Sequence, residues 1–186
     1  MQTFGLTHNK EIIPKSRDTL IKIIHRIYVP IATRLASING RPYMACTSCA
    51  DENNPLSYDH EHALLLCPKV TKFWTSVKTL IITIARACYV GCCNGITNII
   101  LLLTLASCNI DQDHPDFDSK TLSTTQTIMG FALTAIITLG NNGSSEDLFK
   151  CFCKLLTEFL YTDHKMFSVN DGHCIKTFIT TRALHH

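Results

Sequence analysis

Charge is scarce in this chain. Asp, Glu, Lys and Arg make up 17% of its 186 residues, low for a soluble protein, and the net charge is only +2. Such a balance permits phosphate binding without demanding it. The opening stretch Met1-Gln-Thr-Phe-Gly-Leu-Thr-His-Asn-Lys-Glu lacks the basic-then-apolar pattern of a secretory signal. Ten cysteines are therefore expected to be reduced or metal-bound in a reducing intracellular compartment, nucleus or cytoplasm, rather than tied in a disulfide framework. No apolar run is long enough for a bilayer. Residues 80–106 are interrupted by Arg86 and by Gly91-Cys92-Cys93-Asn94-Gly95, and the unbroken part, 96–106, is too short, so no membrane partner is expected. No carboxylate pair or glycine-rich loop stands at telling spacing. That leaves no motif for an enzyme and no small-molecule substrate to expect.

What is present is apolar and unevenly charged. Hydrophobic residues make up 46%, an ordinary value that excludes disorder over most of the length and suits one domain with a real core. Residues 1–86 hold 11 Lys/Arg against 6 Asp/Glu, whereas residues 87–186 hold 6 against 9. The basic half is the half that carries the informative motif.

That motif is Cys46-Thr47-Ser48-Cys49, then a histidine, then Cys67-Pro68. Two cysteines separated by two residues can bend around one metal ion, and a histidine and a third cysteine can close the shell. Three sulfurs and one imidazole nitrogen suit tetrahedral Zn2+ and leave no position open for substrate, so a single structural zinc is expected on Cys46, Cys49, His62 and Cys67. His60, two residues before His62, is an alternative fourth ligand; the spacing to Cys67 favours His62. A Cys67/His62 or Cys67/His60 nucleophile pair can be imagined, but zinc satisfies the same residues better. Cys88, Cys92, Cys93, Cys108, Cys151, Cys153 and Cys174 read as reduced, mostly buried small hydrophobes.

The pattern elsewhere predicts a mainly α fold, a small helical domain organised around this Cys3His knuckle. Residues 1–15 read as a flexible leader. Ser16 and Asp18 open a helix bearing Leu20, Ile23, Ile24, Ile27 and Ile31, kinked at Pro30 and closed by Asn39-Gly40. His62 to Leu66 starts a short helical turn. Proline after Cys67 suits a first helical position, placing the thiol where the helix dipole lowers its pKa. The helix that follows carries Val70, Phe73, Trp74, Val77, Ile81 and Ile84 on one side, with Lys69, Lys72, Ser76, Thr79 and Arg86 on the other. Burial of Phe73 and Trp74 beside the zinc is expected to join the knuckle to the first helix. Residues 99–105 form an apolar run, helix or strand. Residues 119–139 read as a poorly charged helix stopped by Gly140-Asn141-Asn142-Gly143. Ser144 or Ser145 with Glu146-Asp147 starts a strongly amphipathic one. The resulting division is a knuckle region at 16–110, an acidic loop at 111–121, a helix pair at 122–166 and a tail at 167–186. Cys151 and Cys153 point to different faces, which argues against a second metal site.

The string His25-Arg26-Ile-Tyr-Val-Pro30-Ile-Ala-Thr-Arg34-Leu35, then Cys46-x-x-Cys49, then His62-x-Leu64-x-x-Cys67-Pro68-x-Val70-x-x-Phe73-Trp74 resembles the zinc-binding region that follows the polymerase domain in LINE-type (non-LTR) retrotransposon reverse transcriptases. The spacing from His62 to Trp74 is its specific part. A looser similarity continues through 99–105 and 128–166. The chain departs from that pattern at Ala50, where glycine usually follows the second cysteine, and at Leu139, where the family tends to carry tryptophan. It also has no Tyr-x-Asp-Asp polymerase motif. The resemblance implies a captured or domesticated fragment, from a host genome or a large virus. It also implies His62 as the histidine ligand, and binding of RNA in preference to DNA. Lys22, Arg26, Arg34, Arg41, Lys69, Lys72 and Arg86 would then meet phosphates. The alternative expectation is a protein-interaction or structural factor that kept the zinc scaffold and lost nucleic-acid binding; low charge and apolar late helices favour it.

Overall fold

A computed structural model describes Asp18, Ile38, Gly40, Cys46, Cys49 and residues 62–85, 119–139, 143–162 and 168–183. Of these residues 91% are helical and none lies in a strand, so the fold is mainly α, as the periodicity predicts. Most of the first helix, the loop at 50–59, the run at 99–105 and the acidic loop at 111–118 lie outside the described residues. Asp18 and Ile38 are in helical backbone, and Gly40 takes a φ of 68°, the left-handed conformation expected where a helix closes.

Helix α1, Pro68–Ala85, begins on the proline. Its predicted stripe of Val70, Phe73, Trp74, Val77, Ile81 and Ile84 is buried throughout. Ser76, expected on the outer face, is buried as well, because α1 is packed by more than one neighbour. It touches the turn at His62–Leu66 and all three later helices: α2, Ser119–Leu139; α3, Ser145–Thr162; and α4, Val169–Ala183. A ladder of Thr75, Thr79 and Thr83, at four-residue steps, runs along its exposed side, each hydroxyl donating to the carbonyl one turn back at 2.8–3.0 Å.

Helix α2 starts at Ser119, so the acidic loop expected to reach 121 stops short of it. From Ser123 to Ile136 the helix has no exposed face. That burial explains why its sequence carries no charge there. Helix α3 opens with a reciprocal cap. The Asp147 amide donates to Ser144 Oγ at 3.1 Å, while the Ser144 amide and hydroxyl donate to Asp147 Oδ2 at 2.9 and 2.7 Å. Those two bonds hold the Asp147 carboxyl below the usual range, the hydroxyl contributing most. Leu148, Phe149, Phe152, Leu156 and Phe159 then face the core.

The segment expected as a tail at 167–186 is instead largely helix, α4. Ser168 caps it, with Asp171 N–H donating to Ser168 Oγ at 3.1 Å, and buried Ile175 with Phe178 and Ile179 supplies its inner face. The expected helix pair is therefore a three-helix arrangement against α1. Aromatic rings lock it. Phe73 meets Phe149 and Phe152 edge-on at 5.2 and 5.5 Å, Phe152 meets Phe178 at 6.1 Å, and Phe131 meets Phe159 at 5.3 Å. Phe73 thus joins the knuckle to α3; a contact with the first helix lies outside the described residues.

Candidate metal centre

Cys46 and Cys49 share a tight turn, closed by the Cys49 amide donating to the Cys46 carbonyl at 3.2 Å. The other half of the site is built by the chain entering α1. Residues His62–Leu66 wind as one π-helical turn, and the Cys67 amide donates five residues back to the His62 carbonyl at 2.9 Å. That widening matters for ligation. At 3.6 residues per turn, side chains five apart diverge by about 140°, whereas the looser winding of an i→i+5 turn reduces that divergence. His62 and Cys67 are the two residues it brings toward one another, their ligand atoms lying within 4.8 Å. Cys67 then caps α1, its carbonyl accepting from the Val70 and Thr71 amides at 2.8 Å each.

The four predicted ligands converge. One nitrogen of His62 and the sulfurs of Cys46, Cys49 and Cys67 all lie within 4.8 Å of one another. Sγ of Cys67 stands 3.5 Å from that of Cys49 and 3.9 Å from that of Cys46. Zinc–sulfur bonds of about 2.3 Å at tetrahedral angles require sulfurs about 3.8 Å apart, so the thiols already sit at ligating separation. Among the described residues the cysteines are free thiols, and no other group of this kind occurs. His62 makes other interactions, yet its Nε2 is buried and has no hydrogen-bond partner, as suits an atom reserved for an ion. Cys46 and Cys67 are fully buried and Cys49 half-buried. These residues can hold one metal ion with four protein ligands. His60 lies outside the described residues.

The start of α1 does lower the Cys67 thiol, through the Lys69 backbone N–H, but without a bound metal the net direction is up. Burial pushes Cys67 up, as do its charge coupling and contact with the Cys46 thiol, and they outweigh the lowering from the Cys49 thiol and from the Lys69 backbone N–H that bonds its sulfur. Cys49 is pushed up to about 12, by burial first and then by hydrogen bonds with the Cys67 and Cys46 thiols. Three thiols this close resist ionising together, and a bound cation reverses that preference.

Of the expected phosphate contacts, Lys72 is exposed beside the site. Lys69 is half-buried, and its Nζ donates to the Gly143 carbonyl at 2.8 Å. Lys22, Arg26, Arg34, Arg41 and Arg86 lie outside the described residues. Fold and site together define a mainly helical protein with a Cys3His cluster, able to hold a metal ion, at the head of its central helix. No family model, no curated protein and no solved structure matches the chain. Among the described residues no helix is long and apolar enough to cross a membrane.

Proposed function

We propose that the chain is a non-catalytic nucleic-acid-binding module, held together by one structural Zn2+ and preferring RNA to DNA. The convergence of Cys46, Cys49, His62 and Cys67 at ligating distances carries this reading. Three thiolates and an imidazole favour zinc over harder cations, and four protein ligands fill its tetrahedral shell. The resemblance to retrotransposon reverse-transcriptase knuckles and the basic first half of the sequence support nucleic acid as partner. In this reading Lys72, with Lys22, Arg26, Arg34, Arg41 and Arg86, meets phosphates, while Lys69 is shared with the Gly143 carbonyl. Its setting is a reducing compartment, nucleus or cytoplasm, where thiols stay available to metal.

Elemental analysis of the purified chain should give one zinc per polypeptide. Filter binding to single-stranded RNA should show retention that falls steeply as salt rises, because released counterions drive such binding. Retention that is absent at low ionic strength would remove the nucleic-acid reading.

A protein-interaction role is the second reading, and a specific feature favours it. An apolar-walled groove of about 500 Å³ runs between α1 and α4, lined by Leu80, Cys174 and Phe178 among threonines. The lysines of α3 also sit within reach of glutamates, Lys150 with Glu146 at 3.0 Å and Lys154 with Glu158 at 4.0 Å, which leaves that face nearly neutral. Partners that survive nuclease treatment in a pull-down would favour this second role.

A further inference from the structure

The π-helical turn that brings His62 toward Cys67 creates a local shortage of donors. In an ordinary helix the Leu64 carbonyl would accept from residue 68, but Pro68 has no N–H. In a continued π-helix it would accept from residue 69, but the Lys69 N–H is directed at the Cys67 sulfur. The Leu65 carbonyl faces the same problem. Its ordinary partners are the amides of residues 69 and 70, and the Val70 amide donates to the Cys67 carbonyl at 2.8 Å.

Two side chains from α1 make up the deficit. The Trp74 indole Nε1 donates to the Leu64 carbonyl at 2.8 Å, in full burial, and the Thr71 hydroxyl donates to the Leu65 carbonyl at 3.1 Å at the surface. Neither residue is a ligand. The geometry points to Trp74 and Thr71 as positioning residues of the metal centre: by satisfying the Leu64 and Leu65 carbonyls they hold the π-turn open, and the open turn keeps His62 over Cys67. Without the indole the buried Leu64 carbonyl is left unmet, since Pro68 has no N–H to offer it, and the segment gains by shifting that carbonyl toward water, which carries the imidazole away from the sulfurs. The inference rests on the metal-site reading above and assigns the residues that set its affinity.

The test uses the full chain and bare metal ions. Zn2+ affinity is measured by competition with a chromophoric chelator, and Co2+ absorption reports tetrahedral geometry. Thermal unfolding of the metal-free chain is followed in parallel. Trp74→Phe keeps an aromatic ring and removes the N–H; it should weaken Zn2+ binding about 10–100-fold, the range typical of lost outer-shell partners. Thr71→Val should weaken it several-fold with no change in metal-free melting, and Thr71→Ser, which keeps the hydroxyl, should restore parental affinity. Parental affinity and Co2+ spectrum in both Trp74→Phe and Thr71→Val would overturn the inference while leaving the metal site intact. A parent chain that binds no metal would overturn both together. If Trp74→Phe does not fold, the Thr71 pair decides alone.

Discussion

Lys69 Nζ donates to the carbonyl of Gly143 at 2.8 Å, joining residues 74 apart in sequence. The bond fastens the metal-side end of α1 to Gly143, just ahead of α3. Gly143 is suited to that place: a Cβ there would stand 2.8 Å from Leu139 Cβ, so a larger residue would force one of the two to shift. Lys69→Met should cost about 1–3 kcal/mol in urea unfolding, since a charged donor is removed from the carbonyl of a buried residue. In RNA filter binding, Lys72→Ala should reduce the salt slope by about one, and Lys69→Met by much less. Equal losses for the two would mean that Lys69 spends its charge on phosphate rather than on the fold.

Removing a ligand should abolish stoichiometric metal. For Cys46→Ser and Cys67→Ser, zinc per chain should fall toward zero and the melting temperature should drop sharply. Structural zinc contributes on the order of 10 kcal/mol in small modules, and here the helical core retains part of the stability. Chelator treatment of the parent should reproduce the drop. A ligand variant with an unchanged melting temperature would exclude a structural metal.

The crowded thiols give the metal-free chain an alkaline weakness. With Cys49 held at about 12 against 9.0 for an unperturbed thiol, its contribution to stability is complete below pH 9 and is lost as pH rises through the folded value. Urea unfolding of the chelated chain at pH 8 and pH 10.5 should show a decline, and Cys49→Ala should show a smaller one. Metal binding runs the other way, because protons must leave the thiols; Zn2+ affinity should weaken from pH 8 to pH 6. A chelated chain that gains stability at high pH through Cys49 would contradict the geometry.

One substitution should stabilise. Thr127 is fully buried in α2 and its hydroxyl has no protein partner. Thr127→Val keeps the shape and removes the unmet oxygen, a gain of about 1 kcal/mol or more by the usual cost of such groups. Differential scanning calorimetry would read it as a raised melting temperature; a fall would mean the hydroxyl is bonded in solution.

The sequence by itself determined the three cysteines of the cluster, the start of α1 and the inner face of α3, and left His60 and His62 as alternatives for the fourth place. Each follows from local chemistry: the Cys-x-x-Cys spacing, a proline that accepts only a first-turn position, and a 3.6-residue apolar repeat. Helix α4 was also signalled, by Ser168 and Asp171 ahead of Ile175, Phe178 and Ile179, but its weak amphipathicity let it pass as a tail. Tertiary structure alone decided the rest. A π-turn differs from an α-turn by one hydrogen-bond register, which no residue pattern announces, and it was selected by Pro68 and by the donors of Trp74 and Thr71. The direction of the thiol pKa values likewise depended on burial and on sulfurs brought within 3.9 Å, distances that exist only once the chain has closed.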